Sequence, residues 1–256
     1  MTDLRMWAMR PATFQSPGQI ELYGRDAAPR MPTPTYLIEH PDGLVLFDAG
    51  LNPDHAGDPI GGYGAMAEKL NMDFREEHTI EAHLGELGFG LDDVKVVIAS
   101  HLHFDHAGAL KQFPHATTFI GEGELEYARA PEKFCTGWFH RDEFDDRHGI
   151  QWQVLPCDHD VFGDGTVTVL HLPGHTPGSL GALVRLPKNT YILTGDAIHT
   201  RAGYASELHY HGDHDTVTAR RTLRKIAHLE RVTDAGVWIC HDPDDWQKYG
   251  GAGEKQ

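Results

Sequence analysis

Three imidazoles and a carboxylate crowd into one hexapeptide, His101-Leu102-His103-Phe104-Asp105-His106. These are donor types that suit zinc or iron. The hexapeptide follows directly on an apolar run, residues 94–99, whose composition predicts a strand. A strand there would deliver the whole group to one edge of a sheet. Three more apolar runs end in the same way. Residues 170–172 lead through Pro173 and Gly174 to His175, residues 191–193 lead through Thr194 and Gly195 to Asp196, and residues 237–240 lead to His241. A rigid strand aims each donor, and the loop after it leaves a coordination position open for chemistry.

The elements that must hold these donors can be read from pattern. Residues 35–39 and 44–47 predict two strands joined by a turn at Pro41-Asp42-Gly43, the second running into Asp48-Ala49-Gly50. Further strands are expected at 117–120, 167–172, 182–186, 191–193 and 237–240. A hairpin turn is expected at Phe162-Gly163-Asp164-Gly165. Helices are expected at 79–87, at 123–130 (ending before Pro131), and at 216–230, where Asp215 can cap and Leu223, Ile226 and Leu229 repeat at helical spacing. Strands interleaved with helices give an α/β class, and near-continuous apolar strands indicate sheets covered on both faces.

Composition narrows the function classes. The chain has 256 residues, 40% of them hydrophobic, enough for one domain with a large core. A net charge of −16 argues against nucleic acid and against an anionic membrane surface. Nineteen histidines are many, and neutral imidazole is the commonest metal ligand. The three cysteines lack CxxC spacing and are odd in number, which disfavours a disulfide framework and fits a reducing compartment. Residues 1–7 show no signal-peptide pattern, and no apolar run reaches membrane-spanning length. A cytoplasmic protein is expected.

Asp48-Ala49-Gly50, the 101–106 motif, His175 within Gly-His-Thr-Pro-Gly, Asp196 and His241 occur in an order that resembles the metallo-β-lactamase superfamily over residues 36–242. The resemblance implies an α/β (α+β) architecture, an αβ/βα sandwich of two mixed sheets flanked by helices, with residues 1–256 as one hydrolase domain. It implies two divalent ions, zinc in the first place. His101, His103 and His175 would hold one, Asp105, His106 and His241 the other, and Asp196 would bridge them. Asp48 would orient a ligand rather than bind metal. Two such ions can share a hydroxide that exists at neutral pH and attacks an acyl carbonyl. No side-chain nucleophile elbow, Gly-x-Ser-x-Gly, is present.

Within the superfamily the chain resembles the N-acyl-homoserine lactone lactonases, the quorum-quenching branch. The likeness lies in residues 101–109 with Phe113-Pro114-His115-Ala116 downstream. It extends to Glu124-Leu125-Glu126-Tyr127, Arg141-Asp142-Glu143-Phe144, residues 162–166 and His241-Asp242-Pro243-Asp244. It implies opening of a lactone ring by a metal-bridging hydroxide, with a small-molecule lactone as the only partner apart from a possible second copy of the chain. One departure is His199, which stands three residues after Asp196 where those lactonases carry a Tyr that helps hold the substrate carbonyl. Tyr204, farther along the loop, is expected to supply the phenol instead. Asp105, His199 and Tyr204 are thus the catalytic candidates.

Apolar walls for an acyl tail are expected from Phe104 inside the motif, from Tyr63 and Met66 on a flexible insert at 61–66, and from Trp138 and Phe139. Core or dimer packing is an equally good account of each group. The second His/Asp cluster, 209–215, reads as a solvated loop with Asp215 as a helix cap. Three alternatives stand beside the lactonase. The first is a lactonase or esterase for an unrelated ring, which His199 favours. The second is a redox di-iron protein, which His103 and the lack of a flavin domain oppose. The third is a metal-binding protein without turnover.

Overall fold

Neighbouring residues along each central strand enter different cores. In the computed structural model, which describes residues 4–15, 29–208, 210, 212–250, 254 and 255, the strands are β1 (Arg5–Ala8), β2 (Ala12–Phe14), β3 (Met31–Thr33), β4 (Tyr36–His40), β5 (Gly43–Phe47), β6 (Val94–Ile98), β7 (Thr117–Gly121), β8 (Gln151–Leu155), β9 (His159–Asp160), β10 (Val167–His171), β11 (Leu180–Arg185), β12 (Thr190–Leu193), β13 (Gly236–Trp238) and β14 (Glu254–Lys255). One mixed sheet runs β14-β1-β4-β5-β6-β7-β8 and a second runs β13-β12-β11-β10-β9; a ribbon of β2 and β3 completes the set. Tyr36, Ile38, Val45, Phe47 and Ile98 from the first sheet meet Val169, Ala182, Val184, Leu193 and Trp238 from the second in one buried cluster. The alternate residues Leu37, Leu46 and Val97 point to the opposite face, into a cluster with Ile80 and Leu84. On the far side of the second sheet, Leu170, Leu183, Ile192 and Val237 pack against Leu223 and Ile226. The period-2 alternation of strands thus builds a helix–sheet–sheet–helix sandwich, as expected from the sequence.

The main helices are α1 (Pro59–Tyr63), α2 (Ala65–Lys69), α3 (Ile80–Glu86), α4 (Phe104–Ala107), α5 (Glu124–Arg129), α6 (Arg201–Ala205), α7 (Thr216–Thr233) and α8 (Pro243–Tyr249). Asp215 caps α7 by accepting from the backbone N–H groups of Val217 and Thr218, as read from sequence. The insert at 61–66 departs from expectation. It lies in α1 and α2 rather than in a flexible loop, because Asp58 caps α1 through the Gly61 N–H at 2.9 Å and Pro59 opens its first turn.

β5 and β6 are parallel neighbours, as are β12 and β13, and β10 runs parallel to β12 with β11 antiparallel between them. The C-terminal ends of β10, β12 and β13 therefore lie along one edge of the second sheet, as those of β5 and β6 do in the first. Asp48, His101, His175, Asp196 and His241 follow these five ends.

Candidate metal centre

The loop after β6 carries His101 and His103, and the short α4 that follows turns Asp105 and His106 onto the same side. Asp48 fixes this loop from the end of β5. Its carboxylate accepts from the Ser100 N–H at 2.7 Å and the Ser100 hydroxyl at 2.9 Å, and pairs with His106 Nδ1 at 2.8 Å. Asp48 adopts φ +60, a left-handed conformation in which Asp and Asn are enriched among non-glycine residues. The loop after β10 brings His175. Asp196 sits in a turn made possible by Gly195 at φ +50, where a side chain would strike Ser100.

All seven residues expected to hold metal are buried. Ligand atoms of His101, His103, His175 and Asp196 lie within 4.8 Å of one another, and those of His106, Asp196, Cys240 and His241 form a second such group. Asp196 belongs to both. Asp105 Oδ2 joins the second group at 3.4 Å from His106 Nε2 and 3.5 Å from His241 Nε2. Cys240 is not among the donors expected from the sequence; burial pushes its thiol well above the ordinary range.

Hydrogen bonding at the far side of each ring tests whether cations fit here. The Pro32 carbonyl can only accept, so His241 Nδ1 must donate to it, at 2.7 Å, and Nε2 is left bare in the neutral ring. The same logic holds for His106 against Asp48 and for His175, whose Nδ1 faces Asp213 at 3.1 Å. The inward atoms then confront one another: His106 Nε2 and His241 Nε2 at 3.3 Å, His175 Nε2 and His103 Nδ1 at 3.2 Å. Facing lone pairs need a cation or a proton between them. His101 Nε2 and Asp196 Oδ1 are buried with no hydrogen-bond partner, which again suits a metal. Burial, then neighbouring imidazoles, hold His101 and His103 well below the ordinary histidine range and therefore neutral. Burial opposes charge on His106 and His241 too, but Asp196 and Asp105 outweigh it and raise both. Burial likewise works against the Asp196 carboxylate, but His241, His106 and His199 hold its pKa well down. These residues fit two divalent ions sharing Asp196.

The other predicted residues divide. His199 lies beside the centre, its side chain 14% exposed and its Nε2 3.3 Å from Asp196 Oδ2. Tyr204 does not supply the expected phenol: its hydroxyl donates to Glu230 on α7 at 2.6 Å, and its ring packs with Arg201. The phenol beside His199 is that of Tyr210, with ring centroids 4.4 Å apart. Phe104 and Tyr63 are not exposed walls. Phe104 has no exposed surface, and Tyr63 is bonded to the Asn52 N–H and Glu143; with Met66 packed alongside, both belong to a core cluster behind the motif. Trp138 and Phe139 do flank the centre, 5.6 and 4.7 Å from the His103 ring.

The 209–215 cluster is more than a solvated loop. His209 and His211 lie outside the described residues, but Asp213 is buried against His175. The bonds from His214 N to His175 O, 3.1 Å, and from Asp215 N to Gly174 O, 3.0 Å, hold it there. No strand precedes Asp213, so pattern alone gave it no role.

The family model of the metallo-beta-lactamase superfamily matches residues 28–255. An N-acyl homoserine lactonase AttM from Azorhizobium caulinodans is 36% identical over 97% of each chain, and an N-acyl homoserine lactonase from a Bacillus species is 27% identical over 83% of this chain and 82% of its own. Among solved structures, a variant of B. thuringiensis AiiA with N-decanoyl-L-homoserine bound at its active site superposes with a TM-score of 0.84 at 21% identity, covering 97% of each chain. The dizinc quorum-quenching lactonase AidC superposes at 0.71 with 17% identity, covering 94% of this chain and 88% of its own.

Proposed function

The chain belongs to the metallo-β-lactamase superfamily, and on that premise we propose that it is a dinuclear metal-dependent hydrolase that opens the ring of N-acyl-homoserine lactones. One observation carries the reading: two groups of buried donors converge on a shared carboxylate, Asp196. His101, His103 and His175 would hold one ion, Asp105, His106 and His241 the other. Zinc fits the mixed nitrogen and oxygen donors, and AidC, a structural neighbour, is described as dizinc. When bound, the two ions supply the Lewis acidity that activates water and polarises the ester carbonyl.

The chain's own residues do the rest. Water adds to the lactone carbonyl carbon, the ring C–O bond breaks, and the departing oxygen takes a proton. The Asp105 carboxyl moves that proton; burial disfavours its charge, but His106 and His241 overcome this and hold its pKa low. Neutral His199, whose pKa burial lowers, donates an N–H to the substrate carbonyl or ring oxygen. Trp138 and Phe139 exclude water beside His103 and give an acyl chain an apolar wall. The product is the open acyl-homoserine.

Following acid release from acyl-homoserine lactones of short and long chain with the metal-loaded protein tests this. Turnover is expected; none at any chain length removes this substrate class. His199 in place of a Tyr favours a second reading, hydrolysis of an aromatic or sugar lactone, which the same screen decides. The quorum-quenching role, the cytoplasm, the one-domain extent and a homodimer belong to this proposal. The three unpaired cysteines support the cytoplasm. Among the described residues no helix is long and apolar enough to cross a membrane.

A further inference from the structure

Glu124 stands outside both donor groups yet touches the loops that present one of them. It is fully buried at the start of α5. Its Oε1 accepts from the Leu102 N–H at 3.0 Å, between His101 and His103. Its Oε2 accepts from the Gly178 N–H at 3.1 Å, three residues past His175. One carboxylate therefore ties together two loops from different sheets. Two glycines permit this approach: a side chain on Gly178 would strike Glu124 and the Gly121 carbonyl, and one on Gly121 would strike the backbone of Gly178. The Gly178 loop comes this close to Glu124 because both positions lack a Cβ.

A buried carboxylate is costly unless hydrogen-bonded. An apolar residue here would leave the buried Leu102 and Gly178 N–H groups without this acceptor. What the carboxylate adds is a fixed distance between the His101–His103 pair and His175. We infer that Glu124 is a positioning residue for the first ion alone, setting the spacing of its three imidazoles by clamping both loops. The inference rests on the reading of those imidazoles as ligands. The donors for the second ion would be His241, in the loop after β13, and Asp105 and His106 on α4, and the Glu124 bonds go to Leu102 and Gly178 rather than to those residues.

The test is Glu124→Gln. The amide offers one acceptor oxygen, and its NH2 faces a backbone N–H, so one bond is lost and two donors meet. Gly178→Ala is the second variant, since it pushes the His175 loop away from an unaltered Glu124. Metal-free protein is titrated with Co(II), with affinity read from the visible spectrum and stoichiometry from metal analysis. The wild-type protein is expected to bind two ions. Each variant should bind one ion about tenfold or more weakly, the usual effect of removing a ligand's support, with the other ion unchanged. Two ions bound at wild-type affinity by both variants would overturn the inference, as would equal weakening of both ions, which marks a general loosening of the fold. A wild-type protein that fails to take up two ions would instead overturn the proposed function.

Discussion

The Tyr63 hydroxyl donates to Glu143 Oε1 at 3.2 Å, inside the cluster behind the metal motif. Burial pushes the Glu143 carboxyl up to about 8, against the opposing pull of Tyr63, Lys111 and Asn52. The folded protein thus holds this proton more tightly than the unfolded chain. The group's contribution is most favourable below the ordinary Glu range and is lost as pH rises from there through about 8, at about 1.4 kcal/mol per pH unit at most. Glu143→Gln keeps the acceptor for Tyr63 and removes the titration. Its melting temperature should exceed the wild type's near pH 8 and converge with it toward pH 5. Parallel curves across that range would refute the assignment.

Metal uptake should compete with protons. Asp196 and Asp105, overcoming the effect of burial, raise His106 and His241 in the metal-free protein, so binding must displace protons there. Equilibrium dialysis should show occupancy falling as pH is lowered from about 8 through the ordinary histidine value of about 6.5, because the raised groups take up protons above that value, and activity falling with it. Occupancy that does not change over this interval contradicts the ligand assignment.

Asp48→Asn tests how far Asp48 sets the His106 ring. Asn tolerates φ +60 as well as Asp does, so the backbone is kept. The amide, with one acceptor oxygen, cannot serve the Ser100 N–H, the Ser100 hydroxyl and His106 Nδ1 together. His106 then loses its fixed tautomer. Affinity for one ion should drop about 10–100-fold with little change in unfolding midpoint. Wild-type metal affinity would mean that Asp48 does not set the His106 ring.

The parts visible in the sequence were those whose local pattern matched their final environment. β6, β7 and β12 are buried strands, and their apolar runs marked them to within a residue or so. The edge strand β8 was missed because Gln151-Trp152-Gln153 is largely solvent-facing and carries no apolar run. The seven expected donors all reached the centre because each follows a strand end. Asp213 was missed for the opposite reason. Its place depends on backbone bonds to Gly174 and His175, which no local pattern records. Tyr204 was placed by nearness in sequence, and the turn of α6 directs it to Glu230 instead.

His199 decides the substrate question. It is not among the seven donors, but it sits 3.3 Å from Asp196 and packs at a tilt against Tyr210. If its N–H holds the lactone, His199→Phe keeps an aromatic ring against Tyr210 while removing the donor. Both ions should stay, and kcat/KM should fall about tenfold, the worth of one hydrogen bond of about 1.4 kcal/mol. His199→Tyr restores a donor that does not titrate near neutrality, so it should recover acyl-homoserine lactone turnover and flatten the acid limb of the pH profile, which burial of His199 places below the ordinary histidine value of about 6.5. A different result is equally readable. Ligand atoms of His175, His199 and Asp213 also lie within 4.8 Å of one another. Loss of an ion in His199→Phe would therefore make His199 a ligand, and its substitution for Tyr a change in coordination rather than in substrate binding.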